Sequence, residues 1–145
     1  MPSFKGTYNH ILDPKNRFNI PAKMRSAFVP EDKDTVILTR GFEQCIYIYP
    51  YSEWLRREDE LRQLSNMDSD ARKLVRLLMG FAQECELDKQ GRVIIPQPLL
   101  TFAAIEKEIV IIGALERMEA WNPKQYDAAH NGFDLETTAA KFVKF

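Results

Sequence analysis

Short apolar clusters punctuated by polar turns run along this chain in one order, twice. Residues 7–12 read as a strand, Asp13 to Asn16 as a turn in which Pro14 and Asn16 supply the fixed and the permissive backbone positions, and Phe18 to Ile20 as a returning strand. In the second half Cys85 and Leu87 alternate with Glu84 and Glu86, Gly91 marks the tight turn, and Val93 to Ile95 return. Each strand, turn and strand predicts a hairpin. Pro21 and Pro96 follow and are suited to open short helices, because the first helical turn has no use for the missing N–H. The runs Thr35–Arg40 and Cys45–Pro50, closing at Trp54, are matched by Glu108–Gly113 and Met118–Pro123, closing at Tyr126.

Between the two sets the hydrophobic period lengthens to that of a helix. Ser52 is expected to cap a segment reaching about residue 64, with Trp54, Leu55, Leu61 and Leu64 on one stripe. Asp68 or Ser69 then starts a second, in which Ala71, Leu74, Val75 and Leu78 have the spacing of a buried face. The two predict an antiparallel linker packed on the sheets, its mixed charges a solvated surface. Residues 127–145 repeat nothing earlier; Leu135, Ala139, Phe142 and Val143 predict a tail helix that docks on this chain or on a neighbouring subunit.

The repetition extends to individual residues. Leu12-Asp13-Pro14-Lys15-Asn16-Arg17-Phe18-Asn19-Ile20-Pro21 and Leu87-Asp88-Lys89-Gln90-Gly91-Arg92-Val93-Ile94-Ile95-Pro96 share Leu, Asp, Arg, Ile and Pro in register, which marks an internal duplication. The predicted organisation is a first repeat over 7–54, a helical linker over 55–81, a second repeat over 82–126 and the tail over 127–145. A unit of about 45 residues buries too little surface to stand alone, so the repeats need each other or another subunit.

Composition narrows the function classes. The 145 residues are 45% hydrophobic, yet no apolar run approaches the length of a membrane span and the amino end lacks a secretory signal pattern, so a soluble cytoplasmic protein is expected. Two cysteines, Cys45 and Cys85, make neither a disulfide framework nor a four-ligand zinc site, and no cofactor or metal is implied. The net charge is −1, but residues 1–30 hold Lys5, Lys15, Arg17, Lys23 and Arg25 against Asp13 alone, a local +4. Phosphate binding follows local cation density, so a basic surface at the first repeat is compatible with DNA.

The doubled Asp-x-x-x-Arg carries the candidate chemistry. Four residues across a turn bring the two side chains together, so Asp13 can hold Arg17 and Asp88 can hold Arg92 in an extended pose. The planar guanidinium meets a carboxylate, a phosphate or the guanine edge in bidentate fashion. Asp13 and Asp88 read as structural, because a carboxylate at a phosphate surface is repelled. Arg17 and Lys15 read as DNA-contacting; Lys89 and Arg92 fit a DNA role and a structural one equally; Lys23 and Arg25 either touch phosphates or cover the helix surface. A heavier contribution from the first repeat is expected. His10 and Cys85 occupy equivalent places, three residues before each Asp, and raise the idea of a thiol and its base. Glu84 and Glu86 beside the thiol disfavour the thiolate, and core packing is the preferred reading; no enzyme is expected.

These residues carry a resemblance. The repeated Asp-x-x-x-Arg with Ile-Pro close behind, and the Leu-Leu-Met-Gly-Phe-Ala-Gln-Glu-Cys-Glu-Leu-Asp-Lys-Gln-Gly-Arg bridge from Leu77 to Arg92, resemble the MraZ family of bacterial transcriptional regulators from Phe4 to about Tyr126. The resemblance implies an α+β fold: two tandem swapped-hairpin, AbrB-like β-barrel subdomains in pseudo-twofold relation, joined and flanked by short helices. It implies a ring-shaped homo-oligomer associated with the nucleoid. That ring would bind double-stranded DNA at direct repeats upstream of its own gene, in the division and cell-wall cluster. Related swapped-hairpin proteins act as antitoxins, which supplies the alternative of a protein-interaction module. The first motif departs from the family pattern at Asn16, where Gly is usual, and at Phe18-Asn19, changes that bear on sequence preference.

Overall fold

A computed structural model describes residues 1–145. In chain order the elements are β1 (Thr7–Ile11), β2 (Arg17–Asn19), α1 (Ala22–Arg25), a 3-10 turn (Pro30–Asp32), β3 (Thr35–Arg40), β4 (Ile46–Pro50), α2 (Tyr51–Arg62), α3 (Ser69–Phe81), β5 (Gln83–Glu86), β6 (Arg92–Ile94), α4 (Gln97–Phe102), β7 (Glu108–Ala114), β8 (Arg117–Trp121), α5 (Pro123–His130) and α6 (Leu135–Phe142). The fold is α+β.

The predicted hairpins do not close on themselves. β1 pairs with β7 and β5 with β3, so each repeat lends its first strand to the sheet of the other, and β2 pairs with β6 as a separate two-stranded ribbon. The turns explain the exchange: beyond the single bond from the Asp13 N–H to the Arg17 carbonyl, at 3.0 Å, β1 and β2 part company, and Asp88 with Arg92 does the same at 2.9 Å. The larger sheet runs β1-β7-β8-β4-β3-β5. Renaming each strand by its counterpart in the other repeat returns the same order reversed, which is twofold pseudosymmetry. Its centre falls on Tyr47↔Glu119 between β4 and β8, and on Phe18↔Val93 in the ribbon. Linking bonds repeat as well: the Leu12 N–H donates to the Lys107 carbonyl and the Leu87 N–H to the Asp34 carbonyl, both at 2.8 Å.

One core therefore serves both repeats. Phe18, Ile20, Val36, Leu38, Ile46 and Ile48 pack with Val93, Ile95, Ile109, Ile111 and Met118 in a single cluster of 19 buried residues. A second cluster, with Tyr49, Trp54, Val110 and Trp121, covers the opposite face of the sheet. β4 is buried along its whole length because both faces are covered, which is why its sequence does not alternate.

Three expectations about the helices need correction. α2 begins at Tyr51, with Pro50 at its cap position rather than Ser52. The Ser52 N–H donates instead to Oδ1 of Asp32 at 2.7 Å; Asp32 Oδ2 accepts the Val29 N–H at 2.9 Å, so this buried carboxylate ties the 3-10 turn to the start of α2. Asp68 does cap α3, accepting the Asp70 and Ala71 N–H groups, but no residue of α3 is fully buried: the helix rests on β3 by one edge and leaves Leu74 and Leu77 exposed. The tail holds α5, which starts at Pro123, and α6, separated by Asn131–Asp134 with Gly132 at φ +74° and Asp134 capping α6. Leu135, Phe142 and Val143 face solvent rather than docking on this chain. No helix is long and apolar enough to cross a membrane.

Two outcomes follow from the exchange. Phe18→Ala, at the centre of the shared core, is expected to lower stability by about 3–5 kcal/mol in urea titration. Residues 1–77 alone leave β1 without β7, β2 without β6 and β3 with β4 but without β5, and are expected to show no cooperative melt as a monomer. A monomeric half with a sharp transition by circular dichroism would contradict the shared-core account.

Candidate nucleic-acid interface

The ribbon of β2 and β6 places the candidate residues. Its register, Arg17↔Ile94, Phe18↔Val93 and Asn19↔Arg92, combines with the two-residue alternation of strands to put Phe18 and Val93 inward, both buried. Arg17, Asn19, Arg92 and Ile94 therefore share the outward face, the two arginines on one diagonal. The Ile20 N–H donates to the Gly91 carbonyl at 3.1 Å and the Ile95 N–H to the Asn16 carbonyl at 2.9 Å, so each turn is anchored to the strand of the other repeat. The two motif turns are thus built as one unit.

Within each turn an aspartate does two jobs. Asp13 Oδ1 accepts the backbone N–H groups of Lys15 and Arg17, each at 2.9 Å, while Oδ2 accepts Nε–H of Arg17 at 2.6 Å. Asp88 repeats the pattern with the Gln90 and Arg92 N–H groups at 2.9 Å and Arg92 Nε at 2.7 Å. The left-handed residue each turn requires is Asn16, at φ +60°, and Gly91, at φ +76°, so Asn performs the conformational task of Gly in the first copy. Only Nε of each guanidinium is engaged, leaving the Nη1 and Nη2 donors free to face a ligand. For Asp13, partial desolvation acts to raise the carboxyl, but the hydrogen bonds from Arg17 and Lys15 outweigh it and hold the group below the usual carboxylate range. The bonds from Arg92, its backbone N–H first, outweigh desolvation likewise at Asp88.

The expected inequality between the repeats is absent from this geometry. The Arg17 and Arg92 side chains are 24% and 27% exposed and make the same ion pair. Their surroundings differ instead. Lys15 is exposed at the first tip and Lys89 at the second. Arg25, although it belongs to the first repeat, lies across the second tip: a Cβ on Gly91 would come within 1.8 Å of Arg25 Nη1. Gly91 suits its left-handed backbone angle, and a side chain there would displace the Arg25 guanidinium. Lys23 lines a cleft with Lys5, Tyr8 and Met24, and no residue of either tip borders that cleft. In the sequence Asn19 stands out only as a departure that bears on sequence preference and Ile94 not at all, although alternation counted from Arg17 and Arg92 places both beside the arginines. Asn19 Nδ2 donates to the Gln90 carbonyl of the opposite turn at 3.1 Å.

His10 and Cys85 form no thiol and base pair. They sit on β1 and β5, at opposite ends of the sheet order; His10 Nε2 has no hydrogen-bond partner, and burial with the Glu84 charge pushes the Cys85 thiol up to about 11.

This duplicated architecture has a counterpart among known proteins. The family model described as "MraZ protein, putative antitoxin-like" matches residues 3–77 and again 78–143. The chain belongs to the MraZ family. The boundary between the two matches falls within α3. A protein of Clostridium beijerinckii named Transcriptional regulator MraZ is 42% identical over 139 residues, 95% of each chain. Proteins of the same name from Natranaerobius thermophilus and Heliobacterium modesticaldum are 43% identical over 86% of this chain and 84% of theirs, and 40% identical over 98% of both. The MraZ match on each half coincides with one copy of the Asp-x-x-x-Arg turn.

The two depressed carboxyls fix a pH dependence. A carboxyl whose folded pKa lies below its unfolded value, near 3.8, contributes stability above that value and loses it as pH falls through the folded pKa. Asp13→Asn combined with Asp88→Asn is expected to be less stable than the parent at pH 7. The gap should shrink below about pH 3.8; a gap unchanged at acid pH in thermal melts would contradict this origin.

Proposed function

We propose that this protein is a sequence-specific DNA-binding transcriptional regulator that reads DNA with the outward face of the β2–β6 ribbon. The observation that carries the reading is a pair of guanidiniums on one ribbon face, each clamped through Nε by an aspartate and free at both Nη positions. A two-stranded ribbon fits the major groove, where a planar guanidinium meets guanine O6 and N7 with two hydrogen bonds. The regulator names of the relatives support the same reading.

In this mechanism Arg17 and Arg92 make base-edge contacts, and Lys15, Lys89 and Arg25 neutralise flanking phosphates and set the register. Lys23 adds to the field from outside the tips. Asp13 and Asp88 do not touch DNA; they orient the arginines, so that less side-chain freedom is lost on binding. With a net charge of −1 the chain has little long-range attraction for DNA, and a single ribbon binds weakly. Several ribbons on one ring oligomer, spaced to match direct repeats upstream of the protein's own gene in the division and cell-wall cluster, convert later contacts into intramolecular ones. The working location is the cytoplasm, on the nucleoid. The antitoxin-like wording of the family description supports a second reading, a module that binds a protein partner.

Fluorescence anisotropy against the DNA upstream of its own gene and a scrambled control tests the reading. Native DNA is expected to bind more tightly, with affinity falling as salt rises. Arg17→Ala and Arg92→Ala should each cost about 1–3 kcal/mol on native DNA. Equal weak binding to both DNAs would overturn the reading in favour of a protein partner. Light scattering at micromolar concentration is expected to give an assembly larger than a dimer; a monomer mass would contradict the multivalent mechanism.

A further inference from the structure

The ribbon is symmetric in its arginines and asymmetric in the residues between them. The pseudo-twofold axis passes through Phe18↔Val93, so it exchanges Arg17 with Arg92 and Asn19 with Ile94. Asn19 and Ile94 stand on the same outward face, and Ile94 is 56% exposed, a large apolar side chain flanked by polar groups. Burial explains neither residue. Asn19 is oriented by its bond from Nδ2 to the Gln90 carbonyl, at 3.1 Å, which leaves Oδ1 and the second N–H directed away from that bond.

We infer that Asn19 and Ile94 are the specificity-determining pair of the ribbon, Asn19 reading adenine and Ile94 a thymine methyl, so that the box bound by each ribbon has a direction. The inference rests on the DNA reading proposed above. The chemistry follows from the groove. An amide with one free acceptor and one free donor matches adenine N6 and N7, and an aliphatic side chain can meet only the methyl of thymine without stranding a polar edge. Spacing agrees: residues i and i+2 of a strand lie about 7 Å apart, close to two base-pair steps of about 3.4 Å each. Twofold-related arginines alone would read a palindrome and leave the ribbon no preferred orientation. The polar and apolar occupants of equivalent sites remove that degeneracy. Identical subunits related by rotation around an assembly would then meet boxes all pointing one way, which is the arrangement of direct repeats.

The test is selection from a randomised double-stranded DNA library, followed by competition anisotropy, for the parent, Asn19→Ile and Ile94→Asn. Both positions are exposed, and thermal melts are expected to match the parent. The parent should select a box without twofold symmetry. Asn19→Ile and Ile94→Asn each make the ribbon face symmetric, and each should select a box with a palindromic centre while losing about tenfold or more on the parental box. Selection of the parental box by both variants, within twofold of parental affinity, would overturn the inference. So would a uniform loss on all DNAs with no change of box. Should the parent itself select no box, the DNA reading falls and this inference with it. Arg17→Ala separates the cases, because it should lose the parental box whether or not Asn19 and Ile94 discriminate. One folded variant of the two is sufficient for the comparison.

Discussion

The antiparallel pairing of Phe18 with Val93 joins the two repeats where neither could be stable alone. Around it β1 crosses to β7 and β5 to β3, so apolar residues of both halves fill one core. A unit of about 45 residues lacks the surface to stabilise itself, and exchanging strands doubles the burial available without lengthening either copy. The same pairing creates the candidate site, because a strand with one face in the core must present the other to solvent. The same three residue pairs put Phe18 and Val93 into the core and the candidate face outward.

Above that pairing, the aspartates convert a loop into a fixed platform. Each carboxylate satisfies two backbone N–H groups with one oxygen and the guanidinium Nε with the other, closing the turn and setting the arginine together. The position of a long flexible cation is thereby tied to the backbone. An Asp-to-Arg ion pair on a surface contributes little to stability by itself. Here its larger consequence is the direction in which the remaining donors point.

Electrostatics follows the exchange rather than the sequence order. The cations of residues 1–30 do not collect at one tip: Arg25 lies over Gly91 at the second, while Lys23 and Lys5 line a separate cleft. The swap thus spreads a basic segment of the first repeat over both turns and gives the ribbon two comparable ends. Exposed Leu135, Phe142 and Val143 of the tail, and the shallowly packed α3, remain apolar surfaces that this chain does not cover.

The sequence by itself determined the duplication, because the two motif copies match at Leu, Asp, Arg, Ile and Pro in register, and the two turns with Asn16 and Gly91 and the Asp–Arg partnerships, because each of these depends on residues within a few positions of one another; it narrowed the cap of α3 to Asp68 or Ser69. Strand alternation also contained the outward placement of Asn19 and Ile94. Strand partnership was beyond local pattern. Hairpins closed within a repeat and strands exchanged between repeats use the same alternation, and only the burial gained by a shared core separates them. The start of α2 was misplaced for a related reason: Ser52 has the local signature of a cap, but the helix already begins at Tyr51, and the Ser52 N–H, a donor of the first turn with no partner inside the helix, is satisfied by Asp32, twenty residues earlier in the chain. The tertiary structure decided which cations meet, since Arg25 reaches the second tip only after the strands have crossed.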